Sequence, residues 1–155
     1  MKLCWASEYW SVGNTYGYSV FANNFKKYIK PYVDFDMEED VSIAICPADK
    51  FNYIPGKFNV LFTMWESQEL PKSYIEKINE ADALVVPCHF VKNLFKRYTP
   101  KPIYVAHPGV DSETFYYKER SFELGKEPFK ILWLGAPNPR KGYLTVLKMI
   151  ERLER

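Results

Sequence analysis

Six short apolar runs recur along the chain, and each is continuous rather than alternating. They cover residues 2–6, 41–46, 59–64, 83–86, 102–106 and 130–134. A strand with one wet face alternates polar and apolar residues, whereas a strand covered on both faces does not. Stretches of helical spacing stand between most of the runs. Together they predict an α/β fold: a Rossmann-like parallel sheet with helices on both faces.

The helical stretches have their own signals. Phe21, Phe25, Tyr28 and Tyr32 recur at helical spacing, with Lys26, Lys27 and Lys30 between them, and Pro31 marks the end. Pro71 fits the first helical position of a segment over 72–80. Residues 90–98 read as a short helix carrying Lys92, Lys96 and Arg97. The last helix, 143–155, has a stripe of Val146, Leu147, Ile150 and Leu153. Residues 111–127 lack a period and read as a connector.

Composition narrows the function classes. The 155 residues are 47% hydrophobic and 17% aromatic, which excludes a disordered chain. Twenty-one basic residues stand against 19 acidic ones, so no one-signed field marks a nucleic-acid binder. No apolar run approaches the roughly 20 residues of a membrane span, and the N-terminus lacks the pattern of a signal peptide. Cys4, Cys46 and Cys88 are far apart without C-x-x-C spacing. They read as buried free thiols, which points to a cytoplasmic protein.

Few residues carry chemistry. The loop 135–142, G-A-P-N-P-R-K-G, stands between a strand and a helix. A helix N-terminus offers unpaired N–H groups and about half a positive charge. Arg140 and Lys141 add two full charges, and a charge-assisted hydrogen bond is worth roughly 1.5–3 kcal/mol. The loop therefore suits a diphosphate; a solvated basic turn is the plainer reading. Gly13 and Gly17 lie between the first strand and first helix, where backbone can approach a phosphate closely, though G-x-x-x-G is not a dinucleotide fingerprint. Trp65 and Glu66 follow the third strand. They read either as sugar contacts or as a core ring and a helix cap. His89 and His107 have no neighbours at ligand spacing, so no metal is expected, and no nucleophile motif is present.

The residues 107–115, H-P-G-V-D-S-E-T-F, resemble the hinge signature of family-4 retaining glycosyltransferases. The run K-I-L-W-L-G-A-P-N-P-R-K-G over 130–142 resembles the start of that family's second domain. A-D-A-L-V-V-P-C-H-F and T-M-W-E-S-Q-E-L-P resemble two strand ends of its first domain. The matches keep family order across 59–155. Ala136 stands where the family usually has Arg, and Trp65 and Glu66 stand where many members have His.

The resemblance implies a GT-B architecture. An acceptor-side domain would span 1–110, a hinge 111–128, and an incomplete donor-binding domain 129–155. The reaction implied is metal-independent transfer of a hexose from a nucleotide-sugar to a glycan, lipid or polymer acceptor, with retention. Arg140, Lys141, Gly13 and Gly17 would meet the donor diphosphate. Gly109 would permit the hinge turn, Asp111 tie it, and Phe115 anchor it. No cofactor is implied. On this reading the chain is the front portion of a longer protein and transfers little alone. The alternative is a non-catalytic glycan- or partner-binding module that pairs through an exposed sheet edge, as a dimer for example. The basic helix 90–98 reads as a solvated face, or as a peripheral contact with an anionic membrane.

Overall fold

Where an apolar run has a neighbour to pair with, it folds as a strand. The computed structural model describes residues 1–7, 17–119, 130–135, 137 and 139–153. Two units divide the chain, Met1–Val110 and Asp111–Arg155.

The first unit is an α/β unit built on β1 (Lys2–Trp5), α1 (Gly17–Ile29), β2 (Asp34–Phe35), β3 (Val41–Ile45), β4 (Phe58–Phe62), α2 (Lys72–Glu80), β5 (Ala83–Val86), α3 (His89–Phe95) and β6 (Ile103–Val105). The strands pair in the order β2-β1-β3-β4-β5-β6, all parallel. The sheet is thus Rossmann-like, and its order reverses at β1, which lies between β2 and β3. In such sheets ligands gather outside the carboxyl ends of the strands, at the switch point.

The pleat sends alternate residues to opposite faces. Ile43, Ile45 and Phe62 join Trp5 and Ala22 in the cluster that Phe21 and Phe25 of α1 cover. Ala44, Cys46 and Leu61 join Leu84 and Val86 on the other face, under Tyr74 and Ile78 of α2 and Val91, Leu94 and Phe95 of α3. Both faces are therefore dry, and this is why the runs do not alternate. Full burial of a side chain such as Ile78 or Leu84 contributes about 1.5–3 kcal/mol.

Several expectations are corrected. The run 130–134 is not a strand, because no strand among the described residues pairs with it and a lone strand leaves its backbone groups unpaired. Leu132 and Leu134 are exposed there. A sixth strand does form, but it is β2, whose two residues sit in an acidic stretch and bond to β1 at Lys2 and Leu3. The module alternative loses 130–134 as its edge; β6 is an edge that the sheet does present, with Tyr104 exposed. Tyr28 and Tyr32 lie outside the core: both are exposed, and α1 ends at Ile29. Pro71 is extended and caps α2 rather than occupying its first turn, its carbonyl accepting from Tyr74 and Ile75 N–H. Cys4 and Cys46 are buried as expected, while Cys88 is only half-buried.

In the second unit, a 3₁₀ turn at Pro139–Lys141 leads into α4 (Tyr143–Leu153). No helix among the described residues is long and apolar enough to cross a membrane.

Candidate functional site

The carboxyl ends of β3, β4, β5 and β6 bring together residues scattered over half the sequence. Gly17 opens α1, and Tyr18 in its first turn reaches the end of β4. The Tyr18 hydroxyl donates to the Met64 carbonyl at 3.0 Å and accepts from the Met64 N–H at 2.8 Å. Thr63 Oγ1 lies 3.3 Å away. Burial pushes the Tyr18 hydroxyl above its ordinary value, against the opposing pull of these hydrogen bonds. Burial also raises Tyr74, with Tyr18 and Asp49 adding to it.

Cys46, just past β3, is pushed up to about 12 by burial and then by Asp49. The thiol is therefore held in its neutral form at neutral pH. The Ser7 hydroxyl after β1 accepts from the Ile45 N–H, joining the ends of β1 and β3. The strand ends after β1, β3 and β4 thus carry buried, neutral hydroxyl and thiol groups.

Tyr18 holds the segment that carries Trp65 and Glu66. Removing its hydroxyl orphans both backbone groups of Met64, which is half-buried. Tyr18→Phe is expected to lower stability by about 2 kcal/mol, read from the urea midpoint. An unchanged midpoint would show that water replaces the hydroxyl there.

Trp65 is half-buried. Its ring packs on Tyr74 at 4.5 Å between centroids, and its Nε1 donates to the Glu69 carbonyl at 2.7 Å. The indole therefore serves the fold, closing the turn after β4. Glu66 beside it is exposed. Across the sheet, His89 after β5 and His107 after β6 come together, their ring centroids 6.1 Å apart. Sequence spacing hid this pair, because 17 residues separate the two. Among the described residues no group of three or more His, Cys, Asp and Glu is placed to hold a metal ion.

The basic turn lies in the second unit. Arg140 and Lys141 are exposed. Trp133 Nε1 donates to the Lys141 carbonyl at 3.0 Å, and the Trp133 ring lies against Gly135, where an added Cβ would meet it at 3.2 Å. Gly142 follows in the left-handed region at φ 71°, which explains the glycine after Lys141. Its carbonyl accepts from Thr145 and Val146 N–H, starting α4. Five Lys or Arg and one Glu occur over 130–153, so the turn sits in positive potential.

The other candidates fare unevenly. Gly13 lies outside the described residues. Gly17 and Gly109 have no left-handed φ, and a Cβ would meet nothing at either, so neither position needs glycine for its conformation. Asp111 does tie the connector: its carboxylate accepts from Glu113 N–H, Thr114 N–H and Thr114 Oγ1, the last at 2.9 Å. Phe115 is 71% exposed and so is not the apolar anchor expected of it.

Compared with family models, with curated proteins and with solved structures, the chain matches none of them.

Proposed function

We propose that the chain serves a retaining hexosyltransferase, with the first unit on the acceptor side and the second opening the nucleotide-sugar side. The observation that carries the reading is the pinned basic turn. Trp133 and Gly142 fix the backbone around Arg140 and Lys141, and α4 begins immediately after. A diphosphate there meets two full cationic charges together with the N–H groups of a helix start. Support also comes from the sheet: none of its six strands lies beyond Val105, so the turn is not part of it.

In the transfer, the bond from the anomeric carbon to the diphosphate oxygen breaks, an acceptor hydroxyl oxygen bonds to that carbon in its place, and the hydroxyl's proton passes to the departing diphosphate. Negative charge grows on the departing diphosphate. Arg140 and Lys141 stabilise that charge more than they stabilise the bound donor, which is the condition for lowering the barrier.

The test is calorimetric titration of the chain with UDP, GDP and ADP, with inorganic phosphate as reference. At least one nucleoside diphosphate is expected to bind more tightly than phosphate. Arg140→Gln combined with Lys141→Gln is expected to weaken it at least about tenfold. Equal binding by the double variant would remove the reading.

A further inference from the structure

A depression of about 290 Å³ opens on the first unit, lined by Gln68, Phe90, Asn93, Leu94 and Arg97. Gln68 comes from the turn after β4. The other four are spaced i, i+3, i+4 and i+7 along α3 and the residues just past it, so they share one face. Buried Leu94 gives the depression an apolar base, and Phe90, 53% exposed, gives it an aromatic side.

The polar lining is uncommitted. Among the described residues, the side chains of Gln68, Asn93 and Arg97 make no hydrogen bond and no ion pair. A guanidinium supplies five N–H donors in a planar fork, and each carboxamide supplies two donors and an acceptor. On the α3 side the local charge is positive. From Ala83 to Val110 the sequence has four cations, Lys92, Lys96, Arg97 and Lys101, and no Asp or Glu. Glu66 and Glu69 belong to the facing turn, so an anion is held chiefly from the α3 side.

We propose that this depression binds a single saccharide ring carrying an anionic group. The anion pairs with Arg97, whose fork matches a carboxylate or phosphate. Ring hydroxyls bond to the carboxamides of Gln68 and Asn93, and the apolar face of the ring lies on Phe90. The volume is at the small end of ligand sites, about 300–1,000 Å³, so it holds one ring. Identifying this ring as part of the transfer acceptor rests on the reading above; its binding does not.

The experiment follows the side-chain amide signals of Gln68 and Asn93 by NMR in the full chain. The probes are glucuronate, glucose 6-phosphate, glucose and inorganic phosphate. Glucuronate or glucose 6-phosphate is expected to move these signals about tenfold more tightly than glucose, and the better of the two identifies the anion. Arg97→Gln is expected to erase that preference, Phe90→Ala to weaken every sugar, and Lys101→Gln, outside the lining, to change neither. The proposal is overturned if glucose binds as well as the charged sugars, if phosphate alone matches them, or if no probe moves the signals. It is overturned equally if phosphatidylglycerol vesicles bind through α3 while the sugars do not. Because Arg140 and Lys141 play no part here, loss of nucleoside diphosphate binding and loss of sugar binding are separate results.

Discussion

Replacing Asn59 with alanine is expected to lower folding stability by about 3–4 kcal/mol, more than any surface change in the molecule. Asn59 is fully buried in β4. Its Oδ1 accepts from Ser42 Oγ at 3.0 Å and from Ile54 N–H at 2.9 Å. Its Nδ2 donates to the carbonyls of Ile54 at 3.0 Å and Lys57 at 2.7 Å. One side chain thus closes the turn before β4, where Gly56 takes a left-handed φ of 78°, and also bonds across to β3. Truncation leaves four partners without it. Ser42 is 1% exposed and has no water to turn to, while the turn's own groups regain water in part. Ser42→Ala alone is therefore expected to cost only about 1 kcal/mol. Urea unfolding of both variants and their double mutant measures the coupling. A loss below about 1 kcal/mol for Asn59→Ala would show that the turn closes without it. The residue lies at the amino end of β4, away from Tyr18 and Met64, so ligand binding per folded molecule should not change.

Much of the sheet was legible because burial on two faces leaves a local trace. Ala83–Val86 is a pure apolar run stopped by Pro87, and β5 forms over that run. The reverse cases show where the trace ends. Asp34–Phe35 has no apolar run at all; it is a strand only because β1 offers it an edge. Residues 130–134 have every local mark of a strand and no partner among the described residues, and they do not form one. Pairing is a property of two segments, and a single run reports only its own half of it.

The site divides in the same way. Asp111 and the Arg140–Lys141 turn are built from neighbours in sequence: the resemblance to a hinge signature pointed to Asp111, and the charges before a helix start pointed to the turn. Tyr18, Cys46, Thr63 and Tyr74 are each unremarkable where they stand, and strand order alone assembles them. The histidines left a faint signal, since each follows shortly after the end of a strand, and β5 and β6 are adjacent and in register. Gly109 and Phe115 show the opposite hazard. A motif can name the residue while the backbone makes no use of its special property.

The buried hydroxyls and thiol at the strand ends predict how the fold fails in base. Cys46, Tyr18 and Tyr74 are acids whose ionised forms are disfavoured inside the protein, so their folded values lie above the unfolded ones. Below the unfolded values both states hold the protons, and the contribution of these groups is whole. As pH rises past them the unfolded chain releases protons that the folded one retains, and stability is lost until the folded values are reached. For Cys46 the window runs from 9.0 to about 12. Crossing it removes about 4 kcal/mol, at roughly 1.4 kcal/mol for each unit. Tyr18 and Tyr74 add to the loss from their ordinary value of 10.0 upward. Urea midpoints measured across this range are expected to fall first with Cys46 and then more steeply with the tyrosines. Cys46→Ala should flatten the early part, and Tyr74→Phe the later part, because neither replacement has a proton to lose. If Cys46→Ala falls in parallel with the parent chain between 9.0 and 10.0, the thiol meets water more readily than its burial implies.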